Sequence, residues 1–281
     1  MTSSPTSPCP RAGHVPWKDR IAPGRRGFTL VEVVTAVAVL ALLLTLLGQL
    51  VGTMSRTWID GQRRVNNFTK SRAMLDLFVF DIQSGVFRSD LAAFPASSPT
   101  FYTMRSGVAQ ASSPRGLCLV QYSYDAGATS RAAMTTIRRG DMAVLWDSPA
   151  TRISFGNSTT LPQIPGITPR DAAQGVVAFK LLFIRADGTF SDTYAPPSDA
   201  NPSRAVGMTL AVVDDTALGQ LVPGQIAALR ARLDGAATGK RSVLADWEAS
   251  LNGSRFEWNA FPKSLAQGLQ IFERYAPLPA L

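Results

Sequence analysis

The sequence predicts an α+β fold: one long N-terminal helix laid on a head built mainly of antiparallel β-strands, with short extra helices. Three observations predict it. Residues 33–55 are uncharged and almost wholly apolar, residues 56–84 carry a one-sided apolar pattern, and the rest alternates strand-like runs with clusters of Pro, Gly and Ser. No proline falls between Pro23 and Pro95, so nothing in the covalent chain obliges the helix to stop before Ser84.

About 20 apolar residues rising 1.5 Å each cross a hydrocarbon layer of about 30 Å, and residues 33–54 meet that requirement. One transmembrane helix half over 28–55 is expected, with Gly48, Gly52 and Gly61 as weak points and Gln49 as its polar interruption. Over 56–88 the helix should turn amphipathic. Val65, Phe68, Leu75, Phe78, Val79 and Ile82 recur near helical spacing, with Arg64, Lys70, Arg72 and Asp76 between them. Unbroken from Phe28 to Ser84 such a helix would be roughly 85 Å long, and only a cover on its apolar stripe makes the second half stable in water.

Residues 89–281 should supply that cover as a β-rich head. Strands are expected at 115–125, 133–139, 141–146, 175–185, 189–194 and 204–214. Asp187-Gly188 marks a hairpin, because both residues tolerate the positive φ such turns need. Residues 223–233, opened by Pro223 and closed by Gly235, read as a helix, and Ser242 can cap another reaching Leu251. Residues 268–275 read as a last strand.

Charge and rare residues narrow the function classes. The formal charge is +8, and Arg11, Lys18, Arg20, Arg25 and Arg26 against Asp19 place +4 of it in the first 27 residues, after a lead-in rich in Ser, Pro and Thr. Cys9 and Cys118 are too few for a disulfide framework. Cys118, in Leu117-Cys118-Leu119-Val120, reads as a small buried hydrophobe. His14 is the only histidine, so a chain trimmed after Gly27 would lack the base of Ser-His-Asp or Cys-His catalysis and any His-bearing zinc site. No catalytic constellation, cofactor site or metal site is assigned.

Gly27-Phe28-Thr29-Leu30-Val31-Glu32, behind the basic Gly24-Arg25-Arg26 and ahead of a membrane-length apolar run, resembles the processing signal of type IV prepilins and type II secretion pseudopilins. In the head, residues 120–125, 137–139 and 179–188 resemble the larger minor pseudopilins of the J type and the Verru_Chthon cassette protein C group. The resemblance implies a pilin-like fold and a basic leader over 1–27. It further implies a membrane-embedded prepilin peptidase that cuts between Gly27 and Phe28, and methylation of the new amine on Phe28. Glu32 would pair with the terminal amine of a neighbouring pilin-like subunit. The protein would be a structural filament subunit rather than an enzyme, with its leader cytoplasmic, one helix in the inner-membrane lipid and its head periplasmic. The absent helix proline and the absent two-cysteine C-terminal loop tilt the reading toward pseudopilins or minor pilins.

Glu32 has a physical reading of its own. A carboxylate within a membrane helix costs about 2.5–3.5 kcal/mol at the centre, so it needs a partner or a place near the surface. A periplasmic binding or enzymatic domain on an uncleaved signal anchor is the alternative, and a secreted domain would need an A-x-A site that does not clearly follow the apolar run. Positive charge on both sides of that run, Arg56, Arg63, Arg64, Lys70 and Arg72 on the far side, makes orientation depend on the resemblance.

Other signals read as structure. Residues 235–242 (GAATGKRS) imitate a phosphate-binding loop, but Asp234 and Arg241 stand where glycine and Ser or Thr belong. The acids Asp187, Asp192, Asp199, Asp214 and Asp215 read as solvated turns ahead of a calcium site. Arg63-Arg64 and Arg138-Arg139 read as solvated charge, and nucleic acid is not an expected partner. Mass spectrometry of the mature protein should find Phe28 as its first residue; recovery of the full-length chain alone would contradict the processing signal.

Overall fold

The computed structural model describes residues 27–89, 91, 93–94, 99–105, 114–124, 128–145, 169–254 and 256–279. Cys9, His14 and the basic leader lie outside the described residues. The chain divides into two compact units, one ending at Arg56 and one running from Thr57 to Leu281. Helix α1, Leu30–Gln83, contributes to both and passes Gly48, Gly52 and Gly61 without interruption.

In the second unit, α1 buries Asn67, Ser71, Met74, Leu75, Phe78, Val79, Asp81 and Ile82, a stripe spaced three and four residues apart. This corrects the expected stripe at its start, because Val65 is 56% and Phe68 50% exposed. Asn67 and Ser71 take the buried positions instead, so polarity alone misplaces the face by about a quarter turn.

The strands form two antiparallel sheets. The first runs in spatial order β1 (Gly85–Val86), β2 (Thr100–Thr103), β3 (Pro114–Tyr124), β4 (Thr136–Leu145) and β5 (Arg170–Gln174). The second has the order β7 (Phe190–Ser191), β6 (Val176–Arg185), β8 (Ser203–Val213) and β9 (Leu269–Pro277). Phe78 and Ile82 of α1 pack in one core with Phe101, Val120, Tyr122 and Ile137 of the first sheet and with Met208, Leu210 and Val212 of the second. The opposite face of the second sheet is covered by α3 (Asp215–Gln220), α4 (Pro223–Ala236), α5 (Val243–Asn252) and α6 (Lys263–Gly268) around Leu229, Leu233 and Trp247.

Several elements differ from expectation. The expected strands 133–139 and 141–146 are one strand, β4, preceded by a single turn, α2 (Arg131–Met134), whose N-cap Ser130 accepts the Ala133 amide. Trp146 lies outside the described residues. The strand expected at 189–194 stops after Ser191, because the Arg185 guanidinium takes the Thr193 carbonyl (3.1 Å) and the Ser191 hydroxyl (3.1 Å) and bends the chain away. Helix α4 continues through Gly235 to Ala236, whereas α5, capped by Ser242, and the Asp187-Gly188 hairpin, with Gly188 at φ 83, form as read. The thiol of Cys118 is buried, and that burial pushes its pKa up to about 11.

Short strands β1, β2 and β5 and helices α3 and α6 were not legible. Asp214 and Asp215, read as a solvated turn, open α3: the Asp214 carboxylate accepts the Thr216 and Ala217 amides at 2.8 Å each. The Gly268 carbonyl accepts the Asp214 amide (3.1 Å) and the Asn67 side-chain amide (3.4 Å). A Cβ at Gly268 would collide with the Asp214 carboxylate, so only glycine lets the end of α6 come this close to the start of α3.

The acid Asp81 is fully buried at the last turn of α1. Arg139 of β4 grips it with Nε (2.6 Å) and Nη2 (3.1 Å), Arg105 donates from Nη1 (2.8 Å) and the Tyr122 hydroxyl from β3 (2.5 Å). Burial and then the Asp81 charge push the Tyr122 phenol well above its usual pKa, which keeps it a donor. Breaking one side of such a buried set strands charge in the core and costs about 3–5 kcal/mol. Asp81→Ala should destabilise the head by that amount and Tyr122→Phe by about 1.5–3 kcal/mol, read by denaturant unfolding of the purified chain.

Candidate functional site

The expected site residues converge at the start of α1, within the first unit. Gly27 and Phe28 precede the helix, and Thr29 is its N-cap: the Thr29 carbonyl accepts the Val33 amide at 3.2 Å. The Thr29 hydroxyl oxygen accepts the Glu32 amide at 3.3 Å, and the Glu32 carboxylate accepts the Thr29 amide at 3.4 Å. This reciprocal pairing is a capping box, which satisfies two amides that a helix start otherwise leaves unpaired. The spacing Thr29-x-x-Glu32 carried that signal, but it passes unnoticed when Glu32 is read for its charge alone. The positive end of the helix dipole lies at the same place and favours a carboxylate there.

Every described side chain from Gly27 to Ser55 is exposed, with Phe28 at 83%, Leu44 at 61% and Met54 at 65%. An apolar surface of this extent is not stable against water and has to be covered by lipid or by other chains. Its polar groups suit that medium. The hydroxyls of Thr35, Thr45 and Thr53 donate back to the carbonyls of Glu32 (3.0 Å), Ala41 (2.8 Å) and Leu50 (2.8 Å), so none needs water. Glu32 therefore stands one turn into an apolar surface with only its own cap for company.

The other sequence signals resolve as architecture. In the loop at 235–242 the buried Asp246 carboxylate accepts the Thr238 amide (2.7 Å) and hydroxyl (2.7 Å) and pairs with Arg241, so the donors a phosphate would use turn inward. Burial raises the pKa of Asp246, but those hydrogen bonds outweigh it and hold it below the usual carboxylate range. Asp187 bonds the Thr189 amide and hydroxyl, and Asp199 the Asn201 amide, each closing its own turn. Among the described residues, no three His, Cys, Asp or Glu side chains cluster as a metal site would require. Arg63 pairs with Asp60 and Arg138 with Asp171, while Arg139 is spent on Asp81.

Residues 23–48 match the prokaryotic N-terminal methylation motif. The N-terminal segment is prepilin-like. The match takes in Gly27, Phe28 and Glu32 and most of the apolar run of this prepilin-like segment. No curated protein matches the chain. A type IV-like pilin from Thermus thermophilus aligns over 75% of this chain and 95% of its own, at 10% identity and a TM-score of 0.34, too slight a likeness to decide anything about the head.

The cap makes a local prediction. Thr29→Ala should remove the hydroxyl half of the box, cost about 1 kcal/mol in local stability and speed hydrogen exchange of the Leu30–Glu32 amides several-fold, with exchange around Phe78 unchanged.

Proposed function

We propose that the chain is a structural subunit of a pilus-like filament, a minor pseudopilin or minor pilin, matured by prepilin peptidase and performing no chemistry itself. One observation carries this reading. An apolar helix start with no core of its own displays a single acid, Glu32, one turn after the Gly27-Phe28 junction of a methylation motif.

Cleavage between Gly27 and Phe28 would remove the basic leader and create an amine on Phe28, which methylation keeps basic. In lipid this amine and the Glu32 carboxylate are each costly alone, and each offsets the other's desolvation when they meet. The capping box shows that Glu32 turns back toward the helix start, the direction from which such an amine would approach. Pairing with the amine of a neighbouring subunit would fix the axial register of two helices whose apolar surfaces otherwise slide freely, since packing in lipid is non-directional. The anchor would sit in the inner membrane with the leader in the cytoplasm and the head in the periplasm.

Glu32→Leu tests the reading, because it removes the charge while raising the apolarity of the helix. Membrane insertion and cleavage after Gly27 should persist, and co-purification with other pilin-type subunits should fall about tenfold or more. Undiminished co-purification would remove Glu32 from assembly.

A further inference from the structure

In the head unit a groove of about 680 Å³ runs between α1, the end of α5 and β9. Its sides are Val65, Phe68, Leu251, Trp258, Ile271 and Phe272, the first two half exposed on the helix and the Phe68 and Phe272 rings 6.1 Å apart. A volume of this size lies in the range of about 300–1,000 Å³ that holds a small apolar molecule. The groove adjoins a second, polar cavity of about 190 Å³, and the two share Arg64 and Gln270.

The charges at that junction are uneven. Arg63 is engaged by Asp60 at 3.3 Å, and Asp214 gives its Oδ1 to two amides of α3. Arg64 has no carboxylate partner among the described residues. Gln267 and Gln270 bring amide groups to the same cavity, while Glu248 sits on the α5 wall of the groove, where it repels an anion and leaves the α1 side as the anion's place. An apolar trough ending at a free guanidinium and two amides matches an amphiphile with an anionic head.

We propose that this groove binds one acyl chain of an anionic phospholipid whose phosphate meets Arg64. The inference rests on the membrane-anchored reading above: Arg64 lies nine positions after Ser55 at the end of the apolar run, and nine residues reach no more than about 30 Å even fully extended. Chain length alone therefore limits how far Arg64 can stand from the end of the apolar run.

The test uses the full chain in mild detergent, mixed with equal amounts of phosphatidylglycerol and phosphatidylcholine and weighed by native mass spectrometry. Wild type should retain phosphatidylglycerol over phosphatidylcholine by about tenfold, because the choline cation of the latter offsets the attraction of its phosphate to Arg64, and Arg64→Gln should abolish the preference. Ala266→Trp, placed at an exposed position on the wall, should fill the trough and lower retention of both lipids. Unchanged retention in both variants overturns the proposal. So does displacement of lipid by inorganic phosphate with no effect of Ala266→Trp, which would mark a bare anion site, and so does cross-linking of Ala266→Cys to a pilin-type subunit in place of lipid. Flotation with vesicles reads the anchor separately: a chain that floats but shows no variant effect refutes the groove alone, whereas a chain that does not float refutes the anchor and the lipid together.

Discussion

A carboxylate without solvent exposure must be met on every side, and in the head of this protein that constraint falls on Asp81. Its partners come from three separate stretches, Arg105 after β2, Tyr122 in β3 and Arg139 in β4, and all three reach the last turn of α1. Apolar packing around Phe78 and Ile82 would tolerate a shift of the helix along the sheet, because dispersion and the hydrophobic effect are non-directional. The bidentate grip of Arg139 is directional, so it gives α1 one register against the first sheet. The second sheet follows, because Met208, Leu210 and Val212 pack into the same core.

A second set of polar ties fixes the other end of the head helix. Gly268 lets Asn67 of α1 and Asp214 of α3 approach one carbonyl, and Glu273 of β9 accepts the Ser242 hydroxyl (2.6 Å) and the Leu244 amide (3.1 Å) at the start of α5. Buried Arg230 of α4 donates to the carbonyls of Val177 (3.0 Å) and Met134 (2.6 Å) and lies 3.9 Å over the Tyr124 ring, joining the helical layer to both sheets. Most of these contacts satisfy backbone groups at helix ends, which the helices themselves leave unpaired. The head is thus specified by few polar contacts placed where elements change direction.

The helix start obeys different rules. There the backbone satisfies itself, threonine hydroxyls fold back onto carbonyls, and apart from Gln49 and Ser55 the other side chains present apolar surface around Glu32. A lone acid in that surface acts only through what neutralises it. Under the proposed function, this is why one carboxylate would decide assembly for an otherwise apolar segment.

The sequence by itself determined the long helix, the membrane-length apolar run, the α+β class, the Asp187-Gly188 hairpin and the N-terminal motif with Gly27, Phe28 and Glu32. All of these rest on local spacing, capping or turn chemistry, which a linear pattern records. Tertiary structure alone decided that Asp81 rather than Asp76 is the buried acid of α1, that Val65 and Phe68 face outward beside a groove while Asn67 and Ser71 face inward, and that Arg139 is partly buried against Asp81 rather than solvated charge. For Asp81, Arg139 and Asn67 those outcomes depend on partners 24 to 201 residues away that receive the polar group, whereas the Ser71 hydroxyl is buried with no hydrogen-bond partner among the described residues.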